Sequence, residues 1–346
     1  MLSLGARVPK RRGDFFRKKL TELQLIDNKL IITVNDRFLY IPLSAQPPEQ
    51  LVKDFPELDL MDYEFENYPV RDRDYRDHLK VPRELIKHLP TSYDIIGSIA
   101  ILKLKEPVIS IRNKIGLAII SSQKNIKTVA WDKGVKGALR VRDLEIIAGE
   151  NRTVTTHKEY NIKLNLDIDK VYFSPRLAGE HYRISQLVEP GEMVLDMFAG
   201  VGPFSIMIAK YSKAERIYSI DLNSIAIKYL IQNIDQNKIS NIFPLEGDVR
   251  VVIRKIPKVD RIIMNLPLGA HEYLLEAFAV LKFRGVVHYH EMLNFDDLQA
   301  RKDWLMEKAK QNKFEVEMIK EHDLGSYSAT INHYCFDLIL KRLKLT

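Results

Sequence analysis

The chain reads as an α/β protein, with a mainly parallel, helix-flanked sheet in its second half and two smaller α/β units before it. Three observations lead there. From about Asn161 onward, apolar strand-like runs (EMVLDM, RIYSIDL, IFPLEGDV, RIIMNLP, GVVHYHEM) alternate with helical ones such as NSIAIKYLIQNIDQN. The first three of these strands run into acidic residues, and a glycine-bearing turn follows the first, as expected where parallel strands feed helices. At 346 residues the chain is also too long for one average domain and suits two or three.

Residues 1–66 read as a small α/β unit. A basic helix is expected from about Asp14 to Gln24, then two short β-type runs, KLIITV and RFLYIPL, and a short helix within QPPEQLVKDFPELD. The charged run YPVRDRDYRDHLKVP reads as a linker. Residues 67–160 form the second unit: a short helix RELIKHLP, a strand SYDIIGSIAILKL, a helix RNKIGLAIISS, and a strand IKTVAW followed by a basic loop. Residues 161–346 complete the chain, closing on two adjacent strands, FEVEMIKEH and TINHYCFDLILKRLK. There is no internal repeat or low-complexity tract.

Composition narrows the function. With 46% hydrophobic and 29% charged residues the chain can bury a sizeable core. No apolar run approaches the ~18 residues of a membrane span. The start, MLSLGARVPKRRGDFF, lacks the apolar stretch of a secretory signal and flows into folded sequence, so a cytoplasmic protein is expected. The single cysteine, Cys335, allows no disulfide within the chain and sits in an alternating run, as a buried thiol would. The net charge of +7 is concentrated: residues 1–20 carry Arg7, Lys10, Arg11, Arg12, Arg17, Lys18 and Lys19 against Asp14 alone. A second excess holds Lys124, Lys127, Lys133, Lys136, Arg140 and Arg142 against Asp132. Two basic patches on a nearly neutral body suggest a polyanion held at two places; a merely solvated charged face is the alternative.

The strongest motif is VLDMFAGVGPFSIMIAK, an apolar strand ending in Asp196 and a turn, Ala199-Gly200-Val201-Gly202-Pro203, that opens a helix. Glycine lets backbone approach a ligand with no Cβ in the way. The turn lacks the third glycine of the dinucleotide fingerprint and has no phosphate-binding lysine. Asp221 ends the next strand, 25 residues after Asp196, where an acidic side chain can accept a ribose's hydroxyls. Asp248 closes the third. Each aspartate could instead be a helix N-cap, but three in succession form a series. That series resembles the class I (Rossmann-like) S-adenosylmethionine-dependent methyltransferases. The resemblance implies that Asp196 and the Gly200–Gly202 turn border the methionine part of the cofactor. It places Asp221 at the ribose hydroxyls and Asp248 with Val249 at the adenine, and it adds Phe198 and Asn223 to the cofactor-binding residues.

The fourth strand ends in Asn265-Leu266-Pro267, which resembles the N-P-P or N-L-P element of methyltransferases acting on base nitrogens. An amide can donate or accept at a base edge, and the proline fixes the turn. The run LRVRDLEIIAGENRTVTTHKEYNIKLNLDIDKVYFSPRLAGEHYRI and the segment DMFAGVGPFS are similar to the archaeal and eukaryotic tRNA (guanine-37-N1)-methyltransferases. The match runs colinearly along the chain and is strongest from Leu139 to Ala270. It implies three domains: a small one contacting the tRNA body, a middle one, and a class I catalytic domain. It also implies Glu180 as general base, Arg140 as the arginine on guanine O6, and Asn265 as a base-recognising and cofactor-bordering amide. Tyr172, Ser174, Arg176 and Pro267 would line the substrate pocket. His181 departs from the archaeal pattern, which usually has arginine there.

These residue types suit the chemistry. Guanine N1 is not nucleophilic until its proton leaves, which a nearby carboxylate can take. The charge that then spreads to O6 is stabilised by an arginine. No covalent intermediate and no metal is needed. Related activities on the same scaffold are methylation of a wyosine intermediate at position 37 and transfer of the cofactor's aminocarboxypropyl group; Glu180 together with Asn265-Leu266-Pro267 favours methyl transfer to N1 over the second. A tRNA-binding protein with a relic cofactor fold, and a DNA adenine methyltransferase, are the readings from further afield. The resemblance implies tRNA as partner and no protein partner, hence a monomer.

Overall fold

The computed structural model describes residues 2–66, 74–137, 141–328 and 330–343. These fall into two compact units, Met1–Asp77 and His78–Thr346.

In the first unit four strands, β1 (Leu2–Pro9), β2 (Thr33–Val34), β3 (Phe38–Pro42) and β4 (Asp59–Glu64), form a sheet in the order β2-β3-β1-β4. Helices α1 (Gly13–Glu22) and α2 (Glu49–Asp54) accompany them. Phe16 and Leu20 of α1 pack with Ala6, Val8 and Ile41 of the sheet. The N-terminal segment, read from sequence only for its charge, is thus a central strand, because Ala6 and Val8 alternate with outward residues. Arg12 pairs with Glu57 and stacks on Phe15, 4.6 Å from the ring centroid, while Arg7 pairs with Asp59. Part of the basic charge therefore serves the fold, and Lys10, Arg11, Arg17 and Lys18 are left exposed.

The second unit begins with short helices α3 (Arg83–Ile86), α4 (Glu106–Ile109) and the longer α5 (Arg112–Ser122), and a sheet β5-β6-β7-β8. Its strands are β5 (Asp94–Ile96), β6 (Ile99–Leu102), β7 (Thr128–Lys136) and β8 (Val141–Gly149). SYDIIGSIAILKL, expected as one strand, is a hairpin, because Gly97 at φ +58° makes a two-residue turn with Ser98. The basic loop expected after IKTVAW is largely strand: β7 runs on to Lys136 and pairs with β8 through a bulge. A separate hairpin follows, β9 (Val154–Glu159) with β10 (Ile162–Asp167). The domain boundary expected at residue 160 falls at its tip; of the linker expected over residues 68–82, residues 68–73 lie outside the described residues and Tyr75–His78 form a 3-10 turn.

The remainder of the chain holds α6 (Ala178–Leu187), β11 (Met193–Asp196), α7 (Pro203–Tyr211), β12 (Arg216–Asp221), α8 (Ser224–Gln236), β13 (Ile242–Glu246) and α9 (Val249–Val252). It continues with β14 (Val259–Met264), α10 (Leu274–Val280), β15 (Leu281–Asn294), α11 (Leu298–Gln311), β16 (Phe314–Ser326) and β17 (Ile331–Arg342). Seven strands pair in the order β13-β12-β11-β14-β15-β17-β16; the first five are parallel, and β17 lies antiparallel between β15 and β16. Alternation splits the core: Val194, Ile217 and Ile263 face Phe204 and Leu230, whereas Leu195, Ile220 and Met264 face Phe278 and Leu305. The first layer also contains Leu164 and Leu166 of β10 and Ile96 and Ile99 of the middle sheet, so the middle sheet and the seven-stranded sheet share a core. Among the described residues no helix is long and apolar enough to cross a membrane.

Strand β10 would be an open edge. Helix α8 covers it with side-chain amides. Buried Asn233 accepts from Asn165 N–H at 2.7 Å and donates to Asn165 C=O at 3.0 Å and to Val201 C=O at 3.0 Å. One turn on, Asn237 repeats the reciprocal pair with Lys163 at 3.0 and 2.7 Å. Asn233→Ala leaves three backbone groups without partners, and we expect it to destabilise the protein by about 2–4 kcal/mol in chemical denaturation. Asn237→Ala, at an exposed site, should cost under about 1 kcal/mol.

Candidate active site

The strand order reverses at β11: β12 and β13 lie on one side, β14 and β15 on the other. Ligands of open α/β sheets sit beyond the carboxyl ends at such a reversal. The residues there are the ones singled out from sequence. Asp196 is fully buried at the end of β11. Ser205 of α7 donates to one of its oxygens at 2.8 Å and is itself 2.8 Å from the Ser219 hydroxyl of β12; the other oxygen has no hydrogen-bond partner among the described residues. Burial, with the nearby Asp221 charge adding to it, pushes the Asp196 carboxyl up to about 7.

The turn that follows needs its glycines for different reasons. Gly202 caps α7 at φ +89°, with Pro203 at the first helical position, and a Cβ there would lie 2.3 Å from Leu230 Cδ1. Gly200 has φ +55° and open space where a side chain would stand, the nearest atom being Tyr172 O at 3.9 Å. Its N–H donates to Asp221 at 2.7 Å. Asp221 takes a second N–H from Asn223 at 2.8 Å and remains partly exposed, with lone pairs left for hydroxyl donors. Burial raises its carboxyl above the usual range.

Asn223 is committed structurally. Its side-chain oxygen caps α8 at Ile225 and Ala226, and its amide donates to Lys170 C=O at 2.9 Å. Asp248 likewise caps α9 through Arg250 N–H, so of the three strand-end aspartates only this one is a plain helix cap. The Val249 side chain lies in the core. Phe198 packs edge-on against Tyr273, which Arg250 covers at 4.5 Å.

At the end of β14 the Asn265 oxygen is buried without a hydrogen-bond partner among the described residues, and Pro267 C=O accepts from Met292 N–H at 3.0 Å, tying the turn to β15. Tyr172 is exposed and Ser174 half-buried just before the turn that leads into α6. Arg176 reaches back to Asp94 at 2.9 Å. Asp94 also binds Arg142, whose other partner is Asp132 at 2.9 Å; this member of the second basic patch is spent on structure. Arg140 lies outside the described residues.

Glu180 is buried in the first turn of α6. Arg183 forks onto it, Nε to Oε2 at 2.6 Å and Nη2 to Oε1 at 2.7 Å, and its Nη1 reaches Asp337 at 2.7 Å. His288 lies 2.6 Å from Asp337 through Nδ1, while Arg261 donates to His288 Nε2 at 2.9 Å and holds Glu192 at 2.7 Å. Because Nε2 accepts from Arg261, the His288 proton sits on Nδ1 and is donated to Asp337. Burial keeps His288 neutral. Burial works against the Asp337 charge, yet the hydrogen bonds from His288 and Arg183 hold it well below the usual carboxylate range. His290 Nε2 faces Glu180 at 3.9 Å with no hydrogen-bond partner among the described residues, and its Nδ1 is 3.2 Å from His333. His181, the departure from the archaeal pattern, is buried against Glu159 at 2.7 Å. The sequence reading missed Arg183, His288, His290 and Asp337. Their signal was the i, i+2 spacing of HYH on β15 and of His333, Cys335 and Asp337 on β17, which puts each set on one sheet face.

The buried Asp196 charge has a consequence for stability. Unfolded, the group titrates near about 3.9; folded, near about 7. The native state therefore holds a proton in between that the unfolded state has lost, and this contribution to stability falls as pH rises through that window. Asp196→Asn lacks the penalty. The stability of the variant relative to wild type should rise by about 2 kcal/mol between about pH 5 and about pH 8, read by urea denaturation.

Comparison with known proteins matches this arrangement. The TRM5/TYW2 methyltransferase domain matches residues 155–321, the TYW2 N-terminal domain residues 75–153, and the tRNA methyltransferase 5 N-terminal domain residues 5–52. The chain is 42% identical over 333 residues to the tRNA (guanine(37)-N(1))-methyltransferase Trm5b of Pyrococcus abyssi, covering 94% of this chain and 96% of that one. The crystal structure of wild-type Trm5b from P. abyssi superimposes with a TM-score of 0.73 over 98% of this chain and 99% of that chain, at 38% identity. A tRNA(Phe) (4-demethylwyosine(37)-C(7)) aminocarboxypropyltransferase of Pyrococcus horikoshii is 30% identical over 264 residues, 75% of this chain and 92% of its own. With two N-terminal domains followed by a methyltransferase domain, the chain belongs to the Trm5/TYW2 family.

Proposed function

We infer that the protein is a tRNA (guanine-37-N1)-methyltransferase using S-adenosylmethionine, acting in the cytoplasm. The observation that carries this reading is the pairing of a cofactor-type strand-end series with a buried carboxylate and an unpartnered amide. Asp196 and Asn265 each present a buried oxygen without a hydrogen-bond partner among the described residues, and Gly200 leaves open space, so the residues suit a polar ligand bearing amine and hydroxyl groups. Asp221 would hold the ribose hydroxyls, Asp248 and the Val249 backbone would border the adenine, and Phe198 would flank the methionine part. The bound cofactor supplies an electrophilic methyl group on its sulfonium sulfur.

The chain's own residues then act on the base. Asn265 grips the guanine edge, with Tyr172, Ser174 and Pro267 lining the pocket. Glu180 takes the N1 proton, and Arg140 meets the charge that develops on O6. The base must leave its stack to enter the pocket, at a cost of ~ a few kcal/mol. Methyl transfer is favoured over aminocarboxypropyl transfer, because relatives with the first activity are the more similar in sequence. Methylation of a wyosine intermediate remains a second substrate to test.

Glu180→Gln keeps the shape but cannot take a proton, so single-turnover methylation should fall by about 10²–10⁴ with tRNA affinity nearly intact. Retention of most of the rate at neutral pH would send the search to another base. Mass spectrometry of nucleosides from treated tRNA identifies the product.

The N-terminal unit is proposed to hold the tRNA body through phosphate contacts, which position without reading sequence. Replacing Lys10, Arg11, Arg17 and Lys18 with glutamine should weaken binding of whole tRNA. It should also flatten the salt dependence, by roughly 0.7–0.9 in slope for each phosphate no longer neutralised. A minimal anticodon stem-loop should be methylated as before. Equal losses on both substrates would refute the tRNA-body role.

A further inference from the structure

Glu180 does not stand in its pocket alone. Its carboxylate meets the guanidinium of Arg183 side-on through two hydrogen bonds, one to each oxygen. That guanidinium is itself fixed from the far side: Asp337 receives Nη1 at 2.7 Å and Nη2 at 3.1 Å, and Cys335 Sγ lies 3.7 Å from Nη2. Asp337 is anchored in turn by His288 and by His322 at 3.0 Å. A continuous chain of partners thus runs across the sheet from Glu192 through Arg261, His288, Asp337 and Arg183 to Glu180.

We propose that Arg183 is a positioning residue for methyl transfer: it fixes the orientation of the Glu180 carboxylate and sets a positive charge against it. The proposal rests on reading Glu180 as the base. A side-on fork occupies one lone pair on each oxygen and leaves the others to accept a proton. Without a fixed partner a carboxylate at the start of a helix would rotate about its side-chain bonds, and proton transfer depends on a narrow distance and direction. Arg183 also places a cation directly beside this buried carboxylate. The other groups facing Glu180 do not replace that cation. On β15, burial and the neighbouring His333 and His288 hold His290 well below the ordinary histidine range. On β17, burial brings His333 down to about 4 and raises the Cys335 thiol, while Asp337 adds negative charge. Among the described residues facing Glu180, Arg183 is the one permanent cation.

The test is single-turnover methylation of whole tRNA by the full-length protein with S-adenosylmethionine, across about pH 6–9. Arg183→Met should lower the rate near neutrality by about 10–100-fold, move the acid limb of the profile up by about one unit, and recover towards wild type as pH rises. Arg183→Lys keeps the charge and loses the fork. It should slow the reaction severalfold with the limb nearly unmoved, and it serves as the probe if the methionine variant does not fold. Affinities for cofactor and tRNA should stay within about twofold. In a Glu180→Gln background the Arg183 substitutions should have no further effect, since they act through that carboxylate. Wild-type rates in both Arg183 variants, or a loss of equal size in the Glu180→Gln background, would overturn the positioning role while leaving the base in place. An active Glu180→Gln enzyme would instead remove the base reading itself.

Discussion

The Asp196 carboxylate sits where the sheet reverses its strand order, with no solvent around it and one hydroxyl on one of its oxygens. Leaving a charge-bearing group there is costly unless the surroundings are built for it. Ser205 comes from the first turn of α7, so that helix must begin directly above the strand. The tight, doubly left-handed turn of Gly200 and Gly202 makes this possible. The same turn delivers the Gly200 N–H to Asp221 and the Val201 carbonyl to Asn233. Three strands and two helices are therefore registered against one another through a few residues whose backbone is spoken for. The Asp196 oxygen left without a hydrogen-bond partner among the described residues lies at the carboxyl end of β11, where such sheets bind their ligands.

The opposite end of the sheet solves a different problem. Antiparallel β17 inserts beside parallel β15. One face of the pair is apolar, with Val287, Tyr289, Leu338 and Leu340, while on the face toward α6 the buried positions carry histidines, a thiol and a carboxylate. Isolated, each would be expensive to bury; joined, they satisfy one another. Buried networks of this kind are sensitive to any missing member, because the group left behind keeps its desolvation cost. This explains why α6 packs here with Glu180, Arg183 and His181 all engaged rather than presenting an apolar face.

Much of this was legible in the sequence, for identifiable reasons. Parallel strands buried on both faces give continuous apolar runs, and their carboxyl ends are marked by aspartates and glycines, so the strand core and Asp196, Asp221, Asp248 and Asn265 could be read directly. Hairpins were harder. Gly97 was absorbed into an apolar run, and the charge of the first twenty residues drew attention away from the alternation of Ala6 and Val8. The use of each cation was also hidden. Arg7, Arg12 and Arg142 count as free charge in a composition but are tied to Asp59, Glu57 and Asp132 by contacts distant in sequence. The polar layer of β15 and β17 was written in plain alternation, yet polar residues at every second position normally signal a solvated face. Only the covering helix reveals that the face is inside.

The amide bridge of Asn233 bears on how such a protein can change over generations. One side chain holds both the outer strand of a hairpin, which leans on the middle sheet through His157 and Thr155, and the glycine turn between β11 and α7. The hairpin and α8 lie about seventy residues apart in the chain but are a single inheritable piece. A recombination point between them separates groups that must match, whereas one before Val154 keeps the bridge whole. Exchange upstream of that strand must still preserve the core that Ile96 and Ile99 of the middle sheet share with β10 and β11, while the asparagine and its backbone partners travel together.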